Sequence, residues 1–198
     1  MTGKVTIWNM ALAFAGVSRK VGSETENSAE AIHCRAFYDQ ARDTTLRAFD
    51  WPWARAYGPL VLRADVTPLA PYKLTYAGPA DCIAFRRIEK DATERLVPFS
   101  ISLGDDGGLM IHTDKTGARG VWTRAMKNPE RYDPTFVRTL AWLLASDLAV
   151  PLTKDIRRQQ FALTSFQEWG RRAEVAASNE GATEVEAFKT EPDWISSR

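Results

Sequence analysis

The sequence predicts an α+β fold, in which helices from both ends of the chain form a bundle and a small antiparallel β unit is inserted between them. Near both ends, apolar residues recur at helical spacing. Between residues 72 and 126, short runs rich in β-branched and aromatic residues alternate with turn-forming glycines. This order of helices, strands and helices is typical of a layered α+β domain.

The chain has 198 residues, a length that suits one domain with a smaller insertion. We predict a helical bundle from residues 1–71 and 127–178, an inserted β domain from 72–126, and an extended C-terminal tail from 179–198. The tail is polar, and its five acidic and two basic residues give it a net charge of about −3.

The first twenty residues superficially resemble a secretory leader. Asn9 interrupts the apolar run, however, and the run is too short to span a bilayer. We therefore predict a first helix that is retained, with no membrane contact. Its apolar side is predicted to carry Ile7, Met10, Leu12, Ala13 and Val17.

A second helix is predicted from about Ser23 to Trp51. Either Ser23 with Glu26 or Asn27 with Glu30 can form a capping box at its start. Pro52 disfavours helical geometry at Trp51, so the helix should end there. The inward positions are predicted to be Ile32, Phe37, Ala41, Thr45 and Phe49, with Arg35, Asp39, Arg42 and Asp43 mostly on other faces.

Two further helices follow the β unit. Asp133 can cap the first of them, and Pro134 suits its first turn because its missing amide proton is not needed there. Pro151 is predicted to end this helix, after an apolar stripe of Phe136, Leu140, Leu143, Leu144 and Leu148. The last helix is predicted to face inward with Ile156, Leu163, Phe166 and Ala173, and outward with Arg157, Arg158, Arg171 and Arg172.

The composition offers little chemistry. With 26 Lys and Arg against 25 Asp and Glu, the chain lacks the basic excess of a dedicated nucleic-acid binder. Two cysteines and two histidines can hardly assemble a metal site of three or four ligands, so no cofactor is predicted. Cys34 and Cys82 are expected to be buried thiols in a reducing compartment.

No sequence motif of a known catalytic site occurs, and we predict that the chain is not an enzyme. The run Gly104–Gly108 leads into a strand pattern, so it predicts a tight turn and not a phosphate loop. His33 and Cys34 are adjacent on a helix and point about 100° apart, which is poor for sharing a proton. His112 lies in an alternating strand, where a partly buried histidine is the ordinary case.

Two charged features remain open. Asp147 lies near an apolar stripe, and we expect it to pair with an arginine of a neighbouring helix or of a neighbouring subunit. The four arginines of the last helix are most simply a solvated face, with contact to DNA as the alternative.

In order along the chain, several segments resemble the tail tubular protein A family, the head-to-tail adaptors of short-tailed bacteriophages. The opening "WNMALAFAGVSRKV" is similar to the family's first helix, and "ETENSAEAIHCRAFYDQARDTTLRAFDWPWARA" resembles its E-x-S-x-x-A-x-x-C-x-x-x-Y-D-x-A-R-D motif followed by a tryptophan segment. "YAGPADCIAFRRI", "YDPTFVRTLAWLLASDLAVPLT" and the terminal "DWISSR" resemble later family segments. The matching motif positions are Cys34, Tyr38, Asp39, Ala41, Arg42, Asp43, Trp51 and Trp53.

The resemblance implies a structural virion protein that assembles in the host cytoplasm as a ring, typically of twelve copies. Such a ring lies beneath the portal protein and contacts a tail nozzle or other tail protein, while genomic DNA passes through the channel without sequence-specific binding. Arg157, Arg158, Arg171 and Arg172 are the candidates to face the channel. Trp194, Ile195 and Arg198 in the tail are the candidates to contact the portal or a neighbouring subunit.

Three alternatives are kept: a stopper ring of another phage type, a DNA-contacting protein that uses the basic last helix, and an enzyme with a cleft that no motif reveals. The segment Trp51-Pro52-Trp53 is expected to close the second helix against the bundle or at a subunit seam.

Overall fold

In the computed structural model, residues 3–90 and 96–182 are described. Four α-helices lie within them: α1 (Lys4–Phe14), α2 (Ala29–Ala48), α3 (Pro134–Thr153) and α4 (Ile156–Ala182). The strands are β1 (Arg55–Pro59), β2 (Val61–Leu62), β3 (Leu74–Ala77), β4 (Cys82–Ile88), β5 (Ser100–Leu103), β6 (Leu109–Thr113) and β7 (Arg119–Arg124). The predicted α+β class is confirmed.

Helix α3 is the centre of the bundle and contacts α1, α2 and α4. It begins where the sequence predicts, because the Asp133 carboxylate accepts hydrogen bonds from the amides of Thr135 and Phe136 and Pro134 occupies the first turn. By length and composition α3 is apolar enough to cross a membrane. However, 56% of its most apolar 18-residue segment is buried inside the protein, as in the core helix of a soluble fold. The large side chains that are buried completely in the bundle include Trp8, Leu12, Tyr38, Leu46, Phe136, Leu140, Leu144 and Leu148.

The β unit consists of two antiparallel sheets, with strand orders β1-β7-β4 and β2-β3-β6-β5. Only Leu60 separates β1 from β2, so the chain passes from one sheet to the other within one residue. A small core lies between the sheets and contains Leu60, Tyr76, Ile88, Val97, Ile111 and Ala118. The strands begin at Arg55, earlier than the predicted limit at residue 72, because the Trp-Pro-Trp turn leads directly into β1.

Two arginines join the β unit to the bundle. Arg86 of β4 donates hydrogen bonds to the backbone carbonyls of Leu46, Arg47 and Phe49 at the end of α2, at 3.0, 3.1 and 2.6 Å. It also donates to the Thr123 hydroxyl of β7 at 2.9 Å. In the opposite direction, the Arg47 guanidinium donates to the carbonyl of Ile83 at 3.0 Å. Carbonyls left free at a helix end are thus satisfied by a cation from the sheet.

The start and the inner face of α2 differ from the prediction. The cap is Ser28, whose hydroxyl accepts from the amide of Ala31, and neither predicted capping box forms. Ile32 is 46% exposed, whereas Ala31, Cys34 and Tyr38 are buried. The inner face of α2 therefore includes the small side chains of Ala31, Cys34 and Ala41, and Ile32 lies outside it.

The later helices also correct two predictions. Pro151 does not end α3, which continues to Thr153, because a proline in the last turn removes only one helical hydrogen bond there. In α4, Ile156 and Leu163 are 61% and 40% exposed instead of inward. Between residues 156 and 176 of α4, the buried positions are Ala162, Ser165 and Gly170.

Gly170 lets α4 lie close to Phe49, the residue that follows α2. A Cβ atom placed there would lie 2.0 Å from the Phe49 ring, which packs over the glycine and lies 5.4 Å from the Phe166 ring.

The predicted extended tail, 179–198, is partly helical, since α4 includes its first residues up to Ala182. Residues 183–198 lie outside the described part of the chain, and with them the candidate contact residues Trp194, Ile195 and Arg198.

Candidate interaction surfaces

The residues of the family-like motif lie along α2 and in the turn that follows it. Tyr38 is buried, and its ring lies 6.2 Å from that of Trp8 in an edge-to-face arrangement. Asp39 and Asp43 are exposed on the same helix, with side-chain exposures of 71% and 50%. The motif therefore combines a core position with a charged outer edge.

Arg42 is buried, which corrects its predicted outward position. Its guanidinium donates to the carboxylates of Asp39 and Asp43 at 2.6 and 2.7 Å. Burial works against the charge, but hydrogen bonding and attraction to Asp43, with the field of Asp39, outweigh it and raise the pKa of Arg42. The aliphatic stem packs inward while the charged head stays paired at the surface.

Trp51-Pro52-Trp53 follows α2 and packs against the first turn of α3. The Trp51 indole donates to the carbonyl of Thr45 at 2.9 Å, and its ring lies 5.0 Å from that of Phe136. The half-buried Trp53 lies 5.1 Å from Phe136 and 5.7 Å from Tyr132, measured between ring centroids. The expectation that this segment closes the helix against the bundle is confirmed by these contacts.

His112 is held by three hydrogen-bonding groups in the β unit. Its Nδ1 accepts from the Leu69 amide at 3.2 Å and lies 3.0 Å from the Thr75 hydroxyl. Its Nε2 lies 2.7 Å from the Ser102 hydroxyl. Because Nδ1 accepts from an amide, the neutral ring carries its proton on Nε2 and donates that proton to Ser102.

This tautomer is the wrong one for removing a proton from Ser102, so the pair does not have the hydrogen bonding of an activated nucleophile. Together with its 3% exposure, the hydrogen bonds assign His112 the structural task of fixing the segment around Leu69 to the sheet. Sequence reasoning expected a partly buried histidine here and missed Ser102, which only the pairing of β5 with β6 brings close.

Asp147 of α3 is half-buried and has no hydrogen bond or ion pair within residues 3–90 and 96–182. Burial alone raises its pKa to about 6. The expected pairing with an arginine of a neighbouring helix is therefore wrong for a single chain. Pairing with a neighbouring subunit stays a prediction.

The two cysteines are unpaired, with Cys34 buried and Cys82 half-buried. Burial raises the pKa of Cys34 to about 12 and that of Cys82 to about 11. Little reactive thiolate exists on either at neutral pH. Within the described ranges, moreover, no three histidine, cysteine or acidic side chains are grouped so that they could hold a metal ion.

The arginines of α4 separate into two kinds. Arg158 contacts the end of α1: its guanidinium donates to the Ala15 carbonyl at 3.2 Å and to Asp155 at 3.2 Å. It occupies the space beside Gly16, where a Cβ atom would lie 1.0 Å from Nη1. These contacts give Arg158 a structural role in joining α4 to α1.

Arg157, Arg171 and Arg172 are exposed, as predicted. Neither Arg157 nor Arg171 has a side-chain ion pair with any described residue. Arg172 lies 4.0 Å from Glu168 and 5.4 Å from the centroid of the Trp169 ring. The charged heads of Arg157 and Arg171 are therefore free to contact an anion, whereas Arg172 already lies beside a carboxylate and an indole ring.

An additional arginine, missed by sequence reasoning, lies beside them. The Arg138 guanidinium of α3 is 4.5 Å from the Trp169 ring and 5.7 Å from the Phe14 ring. The Phe14 ring in turn stacks on Trp142 at 3.9 Å. In the sequence, aromatic residues are visible in each of α1, α3 and α4. Their spacing does not reveal that the rings of the three helices lie next to one another.

Large apolar side chains are exposed at both free edges of the four-stranded sheet. Val61 and Leu62 of β2 are 68% and 51% exposed at one edge, and Ile101 and Leu103 of β5 are 45% and 73% exposed at the other. Tyr57 on the edge strand β1 of the other sheet is also exposed. Strand edges of this kind are templates for pairing with another chain.

Comparison of the sequence with protein-family models and with curated proteins found no match.

Proposed function

We propose that this chain is a structural, non-enzymatic virion protein: a head-to-tail adaptor that assembles as a ring of twelve copies between a portal and the tail of a short-tailed bacteriophage. Its partners would be copies of itself, the portal protein and a tail nozzle or other tail protein. The ordered resemblance of the sequence to the tail tubular protein A family supports this proposal, and so does the architecture.

The exposed apolar residues at the two edges of the four-stranded sheet carry the proposal. A ring requires that one surface of a subunit contacts a different surface of the next subunit. The edge strands β2 and β5 are two different strands of one sheet, so β2 of one subunit could contact β5 of the next. Complete burial of one leucine or valine contributes about 1.5–3 kcal/mol before the cost of association is subtracted.

Two titratable side chains of the described residues have surroundings that differ from those of catalytic groups. His112 carries its proton toward Ser102, and Asp147 has no basic or nucleophilic partner within the described residues. The hydrogen bonds of His112 account for its position without a substrate.

The proposal is tested by measuring the mass of the purified chain in solution and by imaging it with and without a portal ring. We expect closed rings, or a monomer that forms rings on the portal. A double variant, Leu62→Ser with Leu103→Ser, should stay folded and fail to form them. Ile32→Ser, which replaces an exposed residue of α2, is the matched control and should assemble normally.

Docking onto the portal is tested by removal of residues 183–198, because Trp194 and Ile195 are the candidate portal contacts. We expect the shortened chain to fold and to lose docking onto the portal. If the double variant of Leu62 and Leu103 forms normal rings, the sheet edges are not the contact between subunits. A chain that never associates with itself or with a portal would contradict the proposed function.

A further inference from the structure

We propose that residues 64–72 form a strap on the four-stranded sheet, which the neutral ring of His112 holds closed and which is released when that ring binds a second proton. The strap connects β2 to β3. Because all of these groups belong to the β unit of one chain, the device does not depend on ring assembly.

The strap is weakly attached to the rest of the molecule. None of the residues 64–72 is buried. The amides of Val66 and Tyr72 donate to carbonyls only three positions before them. In the described part of the chain, the bond from the Leu69 amide to His112 Nδ1, at 3.2 Å, is the one hydrogen bond that crosses from the strap to a strand of the sheet.

The acceptor in this bond is the atom that takes up a proton. Since the neutral ring of His112 carries its proton on Nε2, 2.7 Å from the Ser102 hydroxyl, the lone pair that can bind a second proton is on Nδ1. Protonation there removes the acceptor of the Leu69 amide and leaves two N–H groups facing each other. The closed strap is therefore compatible with the neutral ring and incompatible with the cationic one.

Thr75 of β3 allows the ring to become cationic inside the fold. Its hydroxyl lies 3.0 Å from His112 Nδ1, and the residue is 1% exposed. A hydroxyl both donates and accepts, so after rotation it can accept from a protonated Nδ1 while Ser102 still accepts from Nε2. Both ring N–H groups then have partners, and the strap alone loses its hydrogen bond.

The charged groups around the ring line a cavity of about 500 Å³ beside it. Arg63 and Asp65 lie on the side of the strap, and Asp105 and Asp106 lie on the turn between β5 and β6. Arg63 is paired with Asp65 at 2.9 Å and lies 4.0 Å from Asp106. From β3 and β5 the ring accepts or donates only to hydroxyl groups. A positive charge on His112 therefore has three carboxylates and one paired guanidinium in the same cavity.

Release of the strap changes the shape of this cavity. One wall consists of the strap residues 66–69, and the opposite wall includes Ser102 and the exposed edge residue Leu103. When the Leu69 amide separates from His112, the first wall moves away from the sheet. Acidification is therefore expected to open the cavity next to the free edge at β5.

Hydrogen–deuterium exchange of the full chain tests the strap, at several values between pH 5 and pH 8, where a histidine ordinarily changes its charge. Exchange is expressed relative to an unstructured peptide at the same pH. We expect the protection of the Leu69 amide, measured in peptides that cover residues 64–72, to fall about tenfold from pH 8 to pH 5 through local opening. The protection of β3 and β6 should change by less than about twofold, because their backbone ladders remain.

His112→Asn is the principal variant. Asparagine places a carbonyl oxygen near the position of Nδ1 and does not titrate, so the Leu69 amide keeps an acceptor at every pH. We expect this variant to protect the strap equally at pH 5 and pH 8. The pH-dependent loss of the unmodified chain, if it persists in the variant, would overturn the proposal because another group would then control the strap.

Thr75→Val is a second variant of similar shape, which keeps the test decisive if His112→Asn does not fold. It removes the acceptor for a protonated Nδ1, so release of the strap should require a lower pH than in the unmodified chain. Release at an unchanged pH would contradict the role given to the hydroxyl. Circular dichroism shows whether each variant is folded.

His33→Gln and Asp147→Asn are the matched controls. His33, on α2, is the other histidine of the chain, and Asp147, on α3, has a pKa of about 6. Both should keep the pH response of the strap, and its loss in either control would assign the response to that residue and overturn the proposal.

The unmodified chain alone can also refute the strap. Equal protection of the Leu69 amide at pH 5 and pH 8, or no protection at pH 8, would show that His112 does not hold the segment. An equal loss in the strap, β3 and β6 would show opening of the whole β unit and would overturn the proposal as well. All measurements are made below the concentration of assembly, so their outcome is separate from that of the adaptor proposal.

Discussion

In the helical bundle, Trp8, Phe136 and Leu144 are at most 2% exposed, whereas in the β unit Tyr57 and Leu103 are more than 70% exposed. The bundle packs most of its large side chains among its own helices, although Ile156 and Phe161 of α4 are exposed, and the core cluster of the described part of the β unit has six buried apolar residues. A fold that divides its apolar residues in this way is stabilised by one part and leaves the other part free for contacts. The following variants test that division.

The largest effect is expected in the bundle. Phe136→Ala should lower the free energy of unfolding by about 3–5 kcal/mol, because it leaves a cavity among aromatic rings. The rings that surround Phe136 are those of Trp51, Trp53 and Tyr132. Urea denaturation measures the loss, and the exposed Tyr57→Ala is the control, with an expected change below about 0.5 kcal/mol. Similar losses from both variants would remove the distinction between the two regions.

The next effect is expected at the junction. Arg86→Met removes the donor that satisfies three carbonyls at the end of α2 and should cost about 2–3 kcal/mol. Hydrogen exchange at residues 46–49 should become faster. Arg87→Met, at the exposed neighbouring position, is the control and should leave both quantities unchanged. If Arg86→Met behaves like its control, the two regions are joined by some other contact.

A smaller, pH-dependent effect is expected from Asp147→Asn. Since burial raises the folded-state pKa of Asp147 to about 6, the unfolded chain loses this proton at a lower pH than the folded chain. The charged carboxylate therefore destabilises the fold, and stability falls as the pH rises from about 4 through 6. At pH 7 we expect the asparagine variant to be more stable by roughly 1–2 kcal/mol, after allowing for partial exposure.

The quantity to measure is the difference in free energy of unfolding between the Asp147→Asn variant and the unmodified chain, because other groups titrate in both. It should be close to zero at pH 4 and constant above pH 7. A variant that is less stable at pH 7 would mean that Asp147 has a stabilising partner. Loss of assembly in this variant would support a cation from a neighbouring subunit as that partner.

The smallest effect on folding is expected at the sheet edges. Leu62→Ser and Leu103→Ser replace exposed side chains, so each should change the free energy of unfolding of the monomer by less than about 0.5 kcal/mol. Denaturation at a concentration below that of assembly measures this. A loss of several kcal/mol in the monomer would show that the edge residues stabilise the β unit itself. It would count against their role in contacts between subunits.

Features that depend only on neighbouring residues in the sequence were predicted better than those that depend on packing between helices. Asp133 and Pro134 define the start of α3 without help from the rest of the molecule, because capping depends on neighbouring residues alone. The inner face of α2 was predicted less well, since Ile32 is more apolar than Ala31 but lies outside. The packing of small residues against α3 decides that orientation, and it is a property of two helices together.

The strand β1 was missed for a related reason. It contains Gly58 and Pro59, which indicate a turn when only the sequence is considered. Because β1 lies at the edge of its sheet, a proline is tolerated there. Of the candidate interaction residues, the sequence correctly predicted the exposure of Arg157, Arg171 and Arg172. It did not predict Arg138, since its position beside Trp169 depends on tertiary structure.

The reciprocal hydrogen bonds of Arg86 and Arg47 have a mechanical consequence. Each of the two elements, β4 and α2, donates to the backbone of the other, so relative rotation about the connecting segment breaks bonds in both directions. A force applied to the sheets is therefore transmitted into the end of α2 and along its axis to the interior of the bundle. We therefore expect the two parts of the molecule to resist bending about this junction.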